Sequence, residues 1–201
     1  MNRGRFITVE GLEGTGKSTN LNLIETLIRS HGHNVLATRE PGGTRTGEKV
    51  RAILLDKEER EMTAMTELLL MYAARRQHVE EVIEPALASG TWVISDRFTD
   101  SSYAYQGGGR QLGSKRVADL DSYVLGDFVP DLTIVLDLVI STGLARATKG
   151  GVADRFEREQ QEFFERVRHV FLERGRGDRS VSYTHLRAHE TREDRGWRGL
   201  R

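Results

Sequence analysis

The residues Gly11-Leu12-Glu13-Gly14-Thr15-Gly16-Lys17-Ser18 keep the spacing G-x-x-x-x-G-K-[ST]. Glycines so placed let successive backbone N–H groups turn inward around phosphate oxygens, and a lysine closing the loop reaches the terminal phosphates. Ser18 adds a hydroxyl of the kind that ligates Mg²⁺. The chemistry implied is the binding of a nucleoside triphosphate. No Asn-Lys-x-Asp run occurs, which disfavours a guanine-specific switch and leaves an ATPase or a kinase.

Further residues suit a second phosphorylated molecule. Arg39-Glu40-Pro41-Gly42-Gly43-Thr44 is a turn-forming stretch with two charges, and Arg51 follows one to two helical turns later. In Asp96-Arg97, an aspartate suited to Mg²⁺ or its water shell adjoins an arginine able to clamp a phosphate bidentately. Met71 and Arg75 stand four apart, on one face of a helix, and offer an apolar contact beside a hydrogen-bonding cation. Gly143 to Arg155 sets Arg146, Lys149 and Arg155 around Gly150-Gly151, the composition of a closing lid that brings positive charge to a migrating phosphoryl group.

These groups need a scaffold, and the hydrophobic pattern supplies one. Phe6–Val9 is a β-branched apolar run, and beyond the glycine loop Leu21, Leu23, Ile24, Leu27 and Ile28 recur at helical spacing. His31-Gly32-His33 ends that helix and Val35–Thr38 is strand-like, making a βαβ unit. Met62 to Ser89 is a long helical pattern that Pro85 should kink or end, and Trp92–Ser95 a third strand. Residues 99–112 are expected as a loop rich in Gly and Tyr, Lys115–Leu125 as a helix, Leu132–Leu136 as a fourth strand and Glu159–Leu172 as an amphipathic helix. The alternation predicts an α/β fold, a parallel sheet with helices on both faces and ligands beyond the carboxyl ends of its strands.

Composition narrows the classes. The 201 residues suit one domain, and the 30 Lys+Arg balance the 30 Asp+Glu, so no polybasic nucleic-acid or membrane surface is indicated. With no Cys, thiolate metal sites and cysteine nucleophiles are excluded. No apolar run approaches a membrane span and no export signal is read at the N-terminus, so a soluble protein is expected.

VEGLEGTGKST, TREPGGT, SDRFTDSSYAYQGGGR and ADRFERE, in this order, resemble bacterial thymidylate kinase, a P-loop nucleoside monophosphate kinase family, over about residues 5–174. The resemblance implies a P-loop kinase three-layer α/β/α fold and transfer of the γ-phosphoryl of ATP to dTMP with Mg²⁺, in the cytoplasm, by a homodimer. It places Gly11–Ser18 on the ATP phosphates, with Leu12, Gly14, Thr15 and Gly16 as loop backbone, and Glu13 near the acceptor's deoxyribose. Arg39 to Thr44, Arg51 and Arg97 would line the acceptor site, while Ser101, Ser102, Tyr105 and Gln106 would surround thymine and sugar and Arg75 would read the base. Lys17, Arg97, Arg146 and Arg155 would be the catalytic cations, and Ser18 and Asp96 the metal ligands. The family usually stacks a Phe on the thymine where this chain has Met71, whose thioether packs against a ring with less planar specificity. Arg45 is an additional cation. Alternatives left by the residues themselves are a kinase for another nucleoside monophosphate or deoxynucleoside, and a P-loop ATPase without an acceptor.

The last 29 residues carry eight arginines against five acids and so a net +3, leaving −3 on the body. VSYTHLRAHETRED resembles translated library adapter, which predicts a kinase domain at 1–174, with its lid around 143–156, followed by a foreign or disordered tail at 175–201. The family has five strands, and the last is expected to be missing or replaced. Ser182–Leu186 has the residue types to take the vacant sheet edge, and the His185/His189 spacing is better explained by a tail than by a metal site.

Overall fold

In the computed structural model the described residues are 3–59, 61–147, 155, 156, 159–177 and 181–185. Strands β1 (Phe6–Gly11), β2 (Val35–Arg39), β3 (Trp92–Asp96), β4 (Leu132–Asp137) and β5 (Val181–His185) form one sheet in the order β2-β3-β1-β4-β5, all neighbours parallel. The central strands β1, β3 and β4 are mostly apolar and β1 is buried throughout, because parallel strands inside a sheet are covered on both faces, whereas the edge strand β2 leaves Ala37 and Arg39 exposed. Residues alternate between those faces: Phe6 and Val93 join Leu68, Tyr72, Val79 and Ile83 in one cluster, whereas Ile7, Val9 and Ile94 join Ile24 and Ile28 in another. Each such side chain, withdrawn from water, contributes about 1.5–3 kcal/mol.

Helix α1 (Lys17–Ser30) begins inside the glycine loop, α2 (Arg45–Leu55) is capped by the Thr44 hydroxyl on Gly47 N–H at 2.9 Å, and α3 is Ala64–His78. Past α3 the chain widens into π-helical turns at Val79–Ile83 and narrows again in α4 (Glu84–Ala88). Pro85, which has no N–H to donate one turn back, accounts for the expected irregularity.

Two expectations need correction. Residues 99–109 are helical, as α5 (Thr99–Ser102) continued by wide turns at Tyr103–Gly109. The glycines there serve close packing against a helix: a Cβ at Gly108 or Gly109 would lie 2.7 Å or 2.5 Å from the side chains of Val170 and Phe163. The lid, read as beginning at Gly143, is still helix there, because α7 runs Ile140–Ala147; Lys149 and the rest of 148–154 lie outside the described residues.

Helices α6 (Ser114–Leu125) and α8 (Gln161–Gly177) complete the body, α8 extending three residues past the expected boundary at 174. The fifth strand is occupied, not missing: Val181–His185 runs along β4 from Thr133↔Val181 to Asp137↔His185. Among the described residues no helix is long and apolar enough to cross a membrane.

Candidate active site

Beyond the carboxyl ends of β1 and β3 lies a cleft of about 490 Å³, and the P-loop forms its floor. Gly14 has φ +72°, and a Cβ there would sit 2.1 Å from the Gly143 carbonyl oxygen, so both the turn and the approach of α7 demand glycine. Lys17 is buried and donates to the carbonyls of Gly11 (3.2 Å) and Leu12 (2.8 Å). Burial first, then the neighbouring Arg97, pushes its ammonium down to about 8, against the pull of Glu13, Asp96 and Glu10. Incoming phosphate charge would restore it.

Arg97 follows β3 in the left-handed region, at φ 73°, a strained conformation for an arginine. Its surroundings hold it there: its N–H donates to Val9 O at 3.0 Å, and its guanidinium to Gly11 O (2.8 Å), Ser101 Oγ (3.1 Å), Glu13 Oε1 (2.7 Å) and Tyr105 OH (3.2 Å). The Tyr105 hydroxyl donates to Glu13. Burial would raise the Glu13 carboxyl, but Arg97, Lys17 and Tyr105 together hold it below the usual carboxylate value. It is therefore an anion near neutral pH, able to accept a hydrogen bond from a sugar hydroxyl.

At the far end Arg75, with a side chain 2% exposed, directs Nε to Glu40 (2.7 Å), one terminal nitrogen to Ser102 Oγ (3.0 Å) and the other to Phe98 O (2.9 Å). Glu40 also accepts from His78 Nδ1 at 3.0 Å, and His78 Nε2 meets Thr38 Oγ1 at 2.8 Å. Each terminal nitrogen of Arg75 retains a second N–H, and the side chain lines the cleft beside Met71 and Gln106. The face predicted for Met71 and Arg75 is thus the cleft-facing face of α3.

Two phosphate-directed cations at one end and a locked arginine among hydroxyls and an amide at the other make a site for a triphosphate and a second nucleotide. A family model for thymidylate kinase matches residues 9–193. The chain belongs to the thymidylate kinase family. It is 54% identical over 174 residues to the thymidylate kinase of Nitrosospira multiformis, covering 87% of this chain and 84% of that one, and 56% identical over 174 residues to that of Pseudomonas putida, covering 87% and 83%. The fold is similar to the crystal structure of thymidylate kinase from Ehrlichia chaffeensis, at 33% identity and a TM-score of 0.74 over 91% of each chain.

Most residues assigned through the family resemblance meet in this cleft: Glu13, Lys17, Ser18, Arg51, Met71, Arg75, Asp96, Arg97, Ser101, Ser102, Tyr105 and Gln106 all line it. Arg51 is fastened by its guanidinium to Pro41 O at 2.8 Å. Four cations are placed elsewhere. Arg39 is exposed and pairs with Glu48 at 3.0 Å, because Glu48 also accepts Gly43 N–H and so closes the turn that Arg39 enters. Arg146 is exposed on α7, as is Arg45 on α2. Arg155 donates to Glu67 (2.5 Å) and Leu54 O (3.0 Å) rather than to the cleft, while its neighbour Phe156 does line it.

Sequence reasoning passed over Glu10, Glu67 and His78 as functional groups and placed Glu40 only as part of the stretch lining the acceptor site, yet all four are buried polar residues that hold site residues in place. Glu10 accepts Phe98 N–H (2.7 Å) and Ser101 Oγ–H (2.6 Å); burial, then Asp100, pushes its carboxyl up to about 7. Its signal was available: a carboxylate at the end of an otherwise apolar strand, inside a sheet with no water to receive it.

Proposed function

We propose that the protein transfers the γ-phosphoryl of ATP to dTMP, giving dTDP and ADP, and so serves dTTP synthesis. The observation that carries the reading is the convergence of Lys17, Arg97 and Glu13 on one end of a cleft whose other end presents Arg75, Ser102 and Gln106. An oxygen of the dTMP phosphate attacks Pγ; the new O–P bond forms as the bond from Pγ to the bridging oxygen breaks, and that electron pair leaves on ADP. The attacking oxygen is already ionised near neutral pH, so positioning and charge neutralisation do the catalysis. Lys17 serves the donor phosphates and Arg97, with Arg51 beside it, the acceptor phosphate. Glu13 would fix the sugar and Arg75 the base. The lid cation assigned to the migrating group in this reading is Arg146, with Arg155 at the lid's other end.

The donor set fits Mg²⁺: Asp96 Oδ1 is buried with no hydrogen-bond partner among the described residues, and the Ser18 hydroxyl lines the same cleft. When bound, the ion supplies charge neutralisation on phosphate oxygens. A cytoplasmic homodimer belongs to the same reading, and the exposed Ile53 on α2 with Met65 and Leu69 on α3 supports an interface there. The remaining boundary proposal is a kinase body at 1–174 followed by a segment of other origin.

The test is ADP production from Mg·ATP with each nucleoside monophosphate in turn. Turnover that requires dTMP is expected; dependence on another monophosphate, or hydrolysis with no acceptor, would sink the assignment.

A further inference from the structure

Glu67 sits on α3 with its side chain fully buried, and it does not itself line the cleft. Its Oε1 accepts from Gln106 Nε2 at 2.8 Å, and its Oε2 from Arg110 Nε at 3.1 Å and Arg155 NH2 at 2.5 Å. Arg110 also pairs with Glu159. Four charges, two of each sign, thus close around one point where α3, the turns after α5, the end of the lid and the start of α8 meet.

Two partners of Glu67, Gln106 and Arg155, lead to walls of the acceptor pocket. Gln106 is itself a wall. Arg155 carries the next residue, Phe156, into the lining, where its ring meets Tyr105 edge-on at 5.8 Å between centroids. Arg155 Nε is at the same time tied to Leu54 O, beside Leu55, another lining residue. Glu67, Met71 and Arg75 are spaced four apart along the same face of α3. Among the described residues, Tyr105 and Phe156 are the aromatic walls of the cleft. Tyr105 is bonded to Glu13 and Arg97 at the phosphate end, which leaves Phe156 to give an aromatic face to the base where Met71 offers a deformable one.

We propose that Glu67 is a positioning residue for base selection, holding Gln106 directly and the Phe156 ring through Arg155. This rests on the dTMP kinase reading. A carboxylate is needed because two guanidinium groups share it; an uncharged amide would remove the negative charge that both approach and would turn one N–H donor against them.

The experiment compares wild type with Glu67→Gln, Glu67→Asp and Phe156→Leu, reading kcat and KM with dTMP, with dUMP (which lacks the 5-methyl group) and with ATP. Calorimetric dTMP binding to each is measured in parallel. Glu67→Gln is expected to raise KM for dTMP about tenfold and to shrink the dTMP-to-dUMP ratio of kcat/KM at least threefold, leaving KM for ATP within twofold. Phe156→Leu should shrink the same ratio, and Glu67→Asp should recover part of it. An unchanged ratio in both Glu67→Gln and Phe156→Leu, or equal rises in KM for ATP and dTMP, overturns the proposal. If Glu67→Gln does not fold, the ratio in Phe156→Leu decides. Absence of dTMP-dependent turnover in wild type would instead reject the kinase reading, while calorimetry still reports on the pocket.

Discussion

At the phosphate end of the cleft, Lys17 rests on two backbone carbonyls, and Arg97 on one carbonyl, two hydroxyls and the single carboxylate of Glu13. At the base end, Arg75 lies against the buried Glu40, which is itself held by His78. The first arrangement holds its cations mostly on neutral groups and is costly without phosphates; the depressed ammonium of Lys17 is the mark of that cost. The second neutralises its cation locally and fixes direction. The same cleft therefore gives up stability where charge must be delivered and gains rigidity where shape must be read.

Removing a group from each end should separate these costs. Lys17→Ala is expected to lower kcat by about 10³-fold, the upper range for loss of one charge-stabilising donor. Its melting temperature should be unchanged or higher, since a poorly solvated ammonium is deleted; a large drop would show that Lys17 is structural. Glu40→Gln should behave in the opposite way, costing about 3–5 kcal/mol in urea unfolding because Arg75 is left buried and uncompensated. Its kcat/KM for dTMP should fall more than its kcat.

The strand that feeds both ends offers a pH test. Burial puts the Glu10 carboxyl at about 7, above its ordinary 4.5, so between those values the folded protein holds more protons than the unfolded chain. The stability linked to Glu10 must then decrease as pH rises from 4.5 to 7, and Glu10→Gln should flatten that slope, by about 3 kcal/mol at most. A variant with the wild-type pH dependence of unfolding would contradict this. The smallest effect is expected from Arg39→Ala, which breaks an exposed pair: within about 0.5 kcal/mol in stability, and KM for dTMP unchanged. A clear rise in that KM would return Arg39 to the acceptor site.

The strands and the P-loop were legible because their signals are local: a β-branched run, then glycines and Gly16-Lys17-Ser18. The cleft's side chains were legible where a charged or hydroxylated residue stood at a strand end, as in Asp96-Arg97 and Ser101-Ser102. Glu67 and His78 were not, and Glu40 only as one residue of the turn from Arg39 to Thr44, because a polar residue on a helix or in a turn reads as solvent-facing until the tertiary partners that bury it are known. Residues 99–109 were misread for a related reason: Gly107-Gly108-Gly109 looks like a flexible loop, and only the approach of Phe163 and Val170 reveals glycines selected for closeness. The fifth strand was legible in residue type, and its place beside β4 in the vacant edge.

The contact of Gly14 with Gly143 has a consequence for inhibitor design. The P-loop and the first turn of α7 touch backbone to backbone, Gly14 having room for no side chain and a Cβ on Gly143 lying 2.8 Å from Glu13 O. A compound has no crevice to open between them, and neither position can acquire a resistance mutation that adds bulk without displacing the other. Selective chemistry belongs at the opposite wall, where Met71 can yield to a shape that a rigid ring would refuse.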